Sequence, residues 1–344
     1  MCTSIFLKGS EGTEGGVYGR TMEFGAWTAS ALVLYPREFA FQGVGIDGLP
    51  GSGLNWTSKY AVIGTNGFGE PILYDGMNEK GLAGGLLNAP NTAEYQHPTS
   101  EQSEHSIAPE QMLIYSLCNF ATVEEARKGL ATILVNGSPN KNWGGVARCH
   151  MTLHDATGRS IVVEFLKGEL VITDNPLGVL TNDPPFSWHL ANLGNYANAG
   201  GPSNKMLVVN GENFIPDSSG VATMGIPGSF LSSDRFVRAA LYVAHAPSNL
   251  TTTEQINVAW HIMNNFDIPP GIISMWADST YGGGVGGYET TEWTVVADLK
   301  GGTYYLKSYQ SQSIQSLSFV DFDLNTKEFK LFPLLTVPVV QVMK

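Results

Sequence analysis

Cysteine is scarce in this chain of 344 residues, which contains three: Cys2, Cys118 and Cys149. A low, odd number argues against a disulfide framework, because disulfide-rich domains carry even sets of closely spaced cysteines. If Cys118 and Cys149 paired with each other, Cys2 would still be a free thiol. The cysteine count therefore leaves Cys2, directly behind Met1, as a candidate reactive group.

Charged residues are also few, at 15% of the chain. Acidic residues outnumber basic ones by 31 to 19, which gives a net charge of −12. Because lysine and arginine form no cluster, the chain is a poor candidate for binding nucleic acid or an anionic membrane. No apolar run reaches the roughly 18 residues that a transmembrane helix needs. We therefore expect a globular protein without a nucleic-acid or membrane partner.

A secretion signal is also missing from the printed sequence. No charged segment followed by an apolar run precedes Cys2, so we expect no signal peptide. The protein would then be cytoplasmic if Met1 is native. A leader that was removed and replaced by Met1 would look the same, and the protein would then be periplasmic or secreted.

Glycine, in contrast, is abundant, with 40 residues, which favours short strands and tight turns over long surface helices. Two short strands flank "GSEGTEGG", and N-G and D-G pairs predict turns that divide segment 59–89 into three strands. Helices are predicted at about 107–119 and directly after Thr122, which supplies an N-cap. A second helical pair is predicted at 232–245 and 253–266.

The order of these segments predicts an α+β fold in which stacked antiparallel sheets lie between helical layers. The segments "CHMTLHD", "SIVVEFL", "ELVITDN" and "GVLTND" have the spacing of strands in such a sheet. No Pro/Ser-rich linker, shift in composition or internal repeat divides the chain. We therefore expect a single domain over residues 2–344, with Met1 removed on maturation.

Three patterns that often indicate function are misplaced or absent. The "GGGVGG" at 282–287 matches a dinucleotide-binding loop, but a strand rather than a helix follows it, so we expect a flexible loop. His150 and His154 share one face of a predicted strand, without the helix and internal glutamate of a zinc protease. No G-x-S-x-G is present. The sequence thus implies no metal and no organic cofactor.

The chemistry of Cys2 depends on its position in the chain. Removal of Met1, which a small second residue favours, would give Cys2 a thiol and a free α-amine on the same carbon. The reference pKa of an α-amine is about 8, so at neutral pH a useful fraction can act as a general base. One residue would then supply both nucleophile and base. A small, half-buried strand residue is the alternative interpretation of Cys2.

Arg20 and Glu23, in "GRTMEF", lie on the strand expected to pair with the one that begins at Cys2. An arginine beside the thiol would favour the thiolate. A carboxylate could accept a hydrogen bond from the α-ammonium and orient it. An ordinary surface ion pair is the alternative for these two residues.

Six segments together are similar to the choloylglycine hydrolase family, which contains conjugated bile-salt hydrolases and penicillin V acylases. They are "CTSIF", "GRTMEF", "DGMNEKGLAGGLLNAP", "DNPLGVLTNDPPFSWHLANLGNY", "GIPGSFLSSDRFVRAA" and "TEWTVVADLKGGTYYLKSY". The resemblance extends from Cys2 to about residue 310. It implies the four-layer αββα sandwich of N-terminal-nucleophile hydrolases, acting on a linear, non-peptide amide through a thioester acyl-enzyme.

The resemblance also assigns roles to particular positions. Cys2 matches the nucleophile, and Arg20 and Glu23 match an arginine and, usually, an aspartate that contact it; the glutamate is one methylene longer. Asn88 and Asn182 match the oxyanion-hole positions, where neutral donors stabilise the oxyanion. Arg235 matches an arginine that holds the cluster together. Turn formation before a proline is the alternative for both asparagines.

The substrate is less constrained than the reaction. Asn88 resembles the bile-salt hydrolase version of its segment, whereas "GRTMEF" resembles a branch whose members can hydrolyse penicillin V or acyl-homoserine lactones; of these, we favour conjugated bile salts slightly. Either substrate is a small amphipathic molecule, and the family usually forms tetramers or dimers. An acyl pocket could be lined by Phe24, Trp27, Leu32 and Phe68, for each of which core packing is the alternative.

A different class of function is a binding protein that has the family fold but retains Met1. A retained Met1 would acylate the Cys2 nitrogen and remove the base.

Overall fold

The computed structural model describes residues 1–9, 15–200, 206–275 and 287–343. Its first sheet is antiparallel and has five strands. Cys2–Lys8 is at one edge and pairs with Gly16–Phe24, which places Cys2 opposite Met22. The order continues through Thr290–Asp298, Thr303–Ser308 and Gln315–Ser318.

The second sheet is also antiparallel and has eight strands. Two of its inner strands, Ala83–Asn88 and Cys149–His154, pair directly with each other. In spatial order the eight strands are Glu169–Asp174, Ser160–Leu166, Cys149–His154, Ala83–Asn88, Asp75–Asn78, Val62–Thr65, Ala31–Tyr35 and Lys330–Pro333.

Four two-stranded sheets complete the strands of the described residues. Each strand in them has two or three residues. The pairs are Ala40–Phe41 with Trp56–Thr57, Ser106–Ile107 with Leu134–Val135, Leu207–Val209 with Glu212–Phe214, and Ser274–Met275 with Gly287–Tyr288.

The described residues contain five α-helices of 8 to 13 residues, and six short 3₁₀ helices. The α-helices are α1 (Met112–Asn119), α2 (Val123–Leu130), α3 (Phe186–Leu193), α4 (Ser232–Ala244) and α5 (Thr252–Met263). The 3₁₀ helices are Ser100–His105, Pro109–Gln111, Gly194–Tyr196, Ser219–Thr223, Asn264–Phe266 and Phe319–Asp321.

Local sequence explains two of the helix starts. The hydroxyl of Thr122 accepts a hydrogen bond from the Glu125 amide, which caps α2 as predicted. Thr251 and Glu254 form a reciprocal capping box at the start of α5. Each cap satisfies amide groups that the first helical turn leaves without a partner.

The layers follow from which faces these elements bury. Helices α4 and α5 pack on the first sheet, and α1 packs on the second. Since both sheets are covered by helices on one face and by each other on the other, their central strands are buried on both sides, as in Gly16–Phe24. This order of layers confirms the predicted four-layer αββα sandwich.

A polar cluster joins the two sheets. Asp75, on the second sheet, accepts hydrogen bonds from the hydroxyls of Tyr18 (2.5 Å) and Tyr304 (2.8 Å) on the first. Arg20 extends from the first sheet and donates to the Leu86 carbonyl on the second (2.6 Å). The sheets are therefore held in register by directional contacts as well as by apolar packing.

Several local predictions need correction. The D-G pair at Asp75 does not form a turn, because it begins a strand whose side chains are wholly buried. "GVLTND" forms no strand and contributes only the bridge between Leu180 and Ser4. The helix expected at 107–119 begins later, at Met112, after a 3₁₀ turn.

Helix α3 was not predicted as an element, and it packs on α4 through Phe186 and Phe236, whose ring centroids are 6.0 Å apart. Most of the "GSEGTEGG" turn and of the "GGGVGG" loop lies outside the described residues. In the part of the chain that is described, no helix has both the length and the apolar character needed to cross a membrane.

Candidate active site

Cys2 is the first residue of the edge strand and is 3% exposed. Its Sγ accepts a hydrogen bond from Arg20 Nη2 at 3.2 Å and lies 3.9 Å from the sulfur of Met22. Arg20 and Cys2 are on adjacent strands, so pairing in the hairpin brings the guanidinium to the thiol. A cation at this distance stabilises a thiolate.

Arg20 is fixed in place from several directions. Its guanidinium donates to the carbonyls of Tyr74 (2.7 Å) and Leu86 (2.6 Å), and it lies 5.0 Å from the centre of the Trp293 ring. Burial alone would lower its pKa, but the nearby Cys2 sulfur and Asp75 carboxylate raise it. Arg20 is therefore a permanently charged group whose position is determined by the fold.

Asp75 is the residue of this cluster that sequence reasoning missed. Its carboxylate lies 3.5 Å from Arg20 Nη1 and is fully buried. Burial raises its pKa to about 6, against the opposing effects of Arg20 and of the tyrosine hydroxyls that donate to it. Its D-G dipeptide predicts a turn, and the contact with Arg20 arises only when the two sheets pack together.

Glu23 pairs with Met1 through main-chain atoms. The Glu23 amide donates to the Met1 carbonyl at 2.9 Å, and the Met1 α-ammonium donates to the Glu23 carbonyl at 2.8 Å. Met1 thus continues the main-chain hydrogen bonding by one residue beyond the start of the first strand. The Glu23 side chain accepts a hydrogen bond from the Thr291 hydroxyl at 3.0 Å, and burial raises its pKa. Its second oxygen, Oε2, has no hydrogen-bond partner among the described residues.

The Met1 α-ammonium has a further partner that the sequence did not suggest. It forms an ion pair with the carboxylate of Glu289, a residue 2% exposed. Burial lowers the pKa of this α-amine to about 6, against the opposing effects of the Cys2 sulfur and the Glu23 carboxylate. The nitrogen donates to both groups that it contacts here, the Glu289 carboxylate and the Glu23 carbonyl.

Asn182 holds the main chain of Cys2. Its Oδ1 accepts hydrogen bonds from the Cys2 amide (2.9 Å) and from Arg235 Nη2 (2.6 Å). Its Nδ2 donates to the Asn88 carbonyl at 2.8 Å. Because two donors converge on one side-chain atom, the amide orientation is determined by its partners. Asn88 and Asn182 are therefore adjacent, as the oxyanion-hole prediction requires.

Arg235 connects Asn182 to Cys2. Its Nη1 donates to the Cys2 carbonyl and, at 2.9 Å, to the Thr3 hydroxyl. Arg235 lies in the first turn of α4. The hydroxyl of Ser232, the first residue of this helix, accepts a hydrogen bond from the main-chain amide of Asn182 at 2.9 Å. Burial lowers the pKa of Arg235 to about 10, so the guanidinium remains charged at neutral pH.

The four residues suggested for an acyl pocket lie in different environments. Phe24 lines a cavity of about 10 Å³ that Cys2 and Trp143 also line. Leu32 is 1% exposed and belongs to the core cluster, where its side chain has no free face. Trp27 is half exposed, and Phe68 is partly buried against the core, with a φ of 54°.

A larger cavity of about 670 Å³ lies on the other side of Asn88 and is lined by Met1. None of the four suggested acyl-pocket residues is among its described lining residues. Its wall is mostly apolar, and it includes Trp188, Phe230, Leu231, Ile272 and Ile273 with Asn88, Asn182 and Arg235. This cavity has the volume of a small-molecule site.

Cys118, Cys149 and His150 are all buried. Cys118 and Cys149 are both buried free thiols, which settles their pairing, and burial raises the pKa of Cys149 to about 12. The ring of His150 contacts the Thr181 carbonyl at 2.9 Å. Within the described residues, no group of three or more metal-binding side chains could hold an ion.

Comparison with known proteins places the chain in a family. A family model, described as linear amide C–N hydrolases of the choloylglycine hydrolase family, matches residues 2–332. A bile salt hydrolase/transferase of Clostridium perfringens is 28% identical over 334 residues, 96% of this chain and 96% of that protein. Penicillin V acylase of Pectobacterium atrosepticum is 27% identical, over 91% of this chain and 79% of that protein.

The structural comparison agrees. The crystal structure of a mutant conjugated bile acid hydrolase from Clostridium perfringens has a TM-score of 0.84 to this chain, at 26% identity and with both chains fully covered. The layered fold is that of an N-terminal-nucleophile hydrolase. The chain belongs to the choloylglycine hydrolase family, and it is a hydrolase of C–N bonds in linear amides. The recognition, fold and enzyme class predicted from the sequence are thereby confirmed, while the role of each site residue stays a prediction.

Proposed function

We propose that this enzyme is a cysteine amidase in which Cys2, freed from Met1, is both nucleophile and base. The observation that supports the proposal is that two hydrogen bonds hold Cys2 in place. Arg20 Nη2 lies 3.2 Å from the Cys2 sulfur, and Asn182 Oδ1 lies 2.9 Å from the Cys2 nitrogen. Sulfur and nitrogen are thus held in defined positions, as a combined nucleophile and base requires.

The reaction has two stages. The Cys2 thiolate attacks the amide carbon, a C–S bond forms, and the oxygen becomes an oxyanion. The C–N bond then breaks as the α-ammonium gives its proton to the leaving nitrogen. In the second stage water attacks the thioester, its proton passes to the α-amine, and the C–S bond breaks to restore the thiolate.

Asn182 and Asn88 are the proposed stabilisers of the oxyanion. Asn182 Nδ2 carries two hydrogens, of which one is donated to the Asn88 carbonyl. Neutral donors suit this role because they do not compete for the catalytic proton. Arg235 donates a hydrogen bond to Asn182 Oδ1 and so holds the side-chain amide of Asn182 in one orientation.

Met1 must be absent for this chemistry. With Met1 attached, the Cys2 nitrogen is an amide nitrogen and cannot act as a base. The Met1 main chain is also paired with Glu23 and its α-ammonium with Glu289, so the residue is held firmly in place. A non-catalytic binding protein that retains Met1, and with it these contacts, is the competing function.

For the substrate, we propose conjugated bile salts first and penicillin V or acyl-homoserine lactones second. Two of the relatives named above act, by name, on bile salts or conjugated bile acids, and one on penicillin V. The mostly apolar cavity of about 670 Å³ supports an amphipathic substrate. We further propose a single domain and a homo-oligomer, a tetramer or a dimer.

The test combines intact mass with an amine-release assay on glycocholate, taurocholate, penicillin V and an acyl-homoserine lactone. We expect a protein that has lost Met1 to turn over at least one of them. Cys2→Ser should lose nearly all activity, while Cys118→Ser, which changes a buried thiol outside the site, should keep it. Full activity in Cys2→Ser would refute the mechanism. Retained Met1 in an inactive, native protein would support the binding protein instead.

A further inference from the structure

His189 is a buried histidine that the proposed mechanism does not use. It is the fourth residue of α3 and is 0% exposed. Its Nε2 lies 2.9 Å from the main-chain carbonyl of Asn182. Because a carbonyl oxygen can only accept, Nε2 carries the hydrogen and donates it. A side chain of α3 therefore binds the residue whose side-chain amide is the proposed oxyanion donor.

The Asn182 carbonyl lacks the donor that a local turn would supply. Pro184 and Pro185 follow it, and proline has no main-chain N–H. The hydrogen bond of a β-turn, from the third residue along the chain back to this carbonyl, is therefore impossible here. Asn182 is 8% exposed, and a buried carbonyl without a donor is unfavourable. His189 thus supplies the hydrogen bond that the two prolines cannot make.

The other polar groups of Asn182 are held as well. Its main-chain amide donates to Ser232 Oγ at 2.9 Å. Its Oδ1 accepts from the Cys2 amide, and its Nδ2 donates to the Asn88 carbonyl. The main-chain carbonyl is the remaining polar group, and the contact with His189 fixes it.

His189 is itself fixed by packing. Its ring stacks on Phe236, with ring centroids 4.5 Å apart and an angle of 16° between the planes. Phe236 follows Arg235 in α4, and Arg235 Nη2 donates to Asn182 Oδ1 at 2.6 Å. Helix α3 therefore binds the carbonyl of Asn182, α4 binds its side chain, and the stacked rings join the two helices.

The ring of His189 is uncharged at neutral pH. Burial lowers its pKa to about 4, against the opposing effect of the hydrogen bond to the Asn182 carbonyl. His150 and Arg235 lower this pKa further, and Glu164 raises it. A ring that keeps one donated hydrogen and exchanges no proton near neutral pH suits a group that positions its neighbour, not an acid or a base.

We propose that His189 is a positioning residue for the oxyanion hole, because its hydrogen bond to the Asn182 carbonyl fixes the place of the Asn182 side-chain amide. His189 is not among the described residues that line the large cavity, so it acts through Asn182 and not on the substrate. This role rests on the proposed function, in which Asn182 Nδ2 stabilises the oxyanion.

The first test compares two variants of His189. His189→Phe keeps an aromatic ring on Phe236 and removes the donor, whereas His189→Gln keeps an N–H at a similar reach. We expect His189→Phe to lower kcat by about 10- to 100-fold, the order of loss when a catalytic group is slightly displaced. KM should change little, because the oxyanion forms only in the transition state. His189→Gln should restore most of kcat.

A double-mutant cycle shows whether His189 acts through Asn182. Asn182→Asp removes the Nδ2 donor but keeps an oxygen for the Cys2 amide. Adding His189→Phe to this variant should lower kcat by less than about threefold further, because the group that His189 positions is already lost. Equal effects of His189→Phe in the wild type and in Asn182→Asp would overturn the proposal, as would a His189→Phe enzyme with the wild-type kcat.

His154→Phe is the matched control, because His154 is a fully buried histidine whose Nε2 contacts Thr152 and whose ring stacks on Phe6. It should keep the wild-type kcat even where it lowers the melting temperature. Thermal melting of every variant separates a loss of folding from a loss of rate. If His189→Phe does not fold, His189→Met, which also lacks the donor and adapts its shape to the core, replaces it.

A measurement without substrate makes the test independent of turnover. In protein that has lost Met1 and carries isotope-labelled asparagine, the side-chain amide of Asn182 is the NMR resonance that Asn182→Asp removes. We expect this resonance to shift or broaden in His189→Phe, to return in His189→Gln and to stay unchanged in His154→Phe.

The outcomes separate the positioning role from the proposed function. If the wild type hydrolyses no amide but the resonance responds as expected, the proposed function fails and the positioning of Asn182 stands. If amides are hydrolysed and the resonance is unchanged in His189→Phe, the positioning role fails alone.

Discussion

Asn182 offers a sharp test of the site, because replacement by aspartate separates its two roles. Asn182→Asp keeps an oxygen for the two donors that now bind Oδ1, the Cys2 amide and Arg235 Nη2. It removes the Nδ2 donor, which binds the Asn88 carbonyl at 2.8 Å, and puts an anion where the oxyanion should form. The side chain keeps its size, so packing changes little.

The expected magnitudes differ for stability and for rate. The existing hydrogen bond from Arg235 becomes an ion pair, which stabilises the new carboxylate, whereas the Asn88 carbonyl loses its donor and faces that carboxylate, at a cost of about 1–3 kcal/mol. These terms nearly cancel, so the free energy of unfolding should change by less than about 2 kcal/mol. Loss of one oxyanion donor lowers kcat by roughly 10²–10³, and the added negative charge lowers it further.

The assay pairs urea unfolding with steady-state turnover of whichever amide the wild type hydrolyses. Asn182→Ala is the comparison, since it loses acceptor and donor together and leaves the buried Arg235 with one partner fewer. It should lose both stability and activity. If Asn182→Asp folds normally and keeps the wild-type kcat, Asn182 is not an oxyanion donor and the reasoning is refuted.

Three further predictions concern the interior and the thiols. Tyr304→Phe removes one hydrogen bond to the Asp75 carboxylate and should lower the free energy of unfolding by about 1.5–3 kcal/mol in urea, with an unchanged value contradicting the role of this cluster. Burial lowers the pKa of His154 to about 3, so the folded state binds fewer protons than the unfolded state between pH 6.5 and 3. Stability should therefore fall as the pH drops through this window, by up to about 5 kcal/mol, and His154→Gln should flatten that dependence in melts across pH 4–7. Iodoacetamide at pH 7 should modify neither Cys118 nor Cys149 in the folded protein, because burial raises the pKa of both thiols; peptide mapping that finds either one alkylated before unfolding would contradict this.

The sequence predicted most elements whose signals are local. The N-cap at Thr122 and the helix that begins at Ser232 are where the pattern indicated, because a cap and a helical period lie within a few residues. The turn expected at Asp75 was wrong. A D-G pair favours a turn when the aspartate has no tertiary hydrogen-bond partners. Here the Asp75 carboxylate accepts hydrogen bonds from groups on the other sheet.

For the candidate site as well, some contacts could be predicted from the sequence and others could not. The hairpin that brings Arg20 to Cys2 could be predicted, because its two strands are close in sequence. The resemblance to a family supplied Asn88, Asn182 and Arg235, which composition and spacing alone would have left as turn and surface residues. Neither the local sequence pattern nor the family resemblance indicated Glu289, which contacts Met1 although the two are 288 residues apart in the sequence.

By itself, the sequence predicted Cys2 as the reacting residue and determined the class of reaction. A thiol and a potential α-amine share Cys2 in the printed chain, and the family segments occur in the right order. Only the tertiary structure decided what surrounds that residue. Asn182 and Glu289 meet Cys2 and Met1 because segments distant in the sequence pack together, and such contacts leave no local pattern to read.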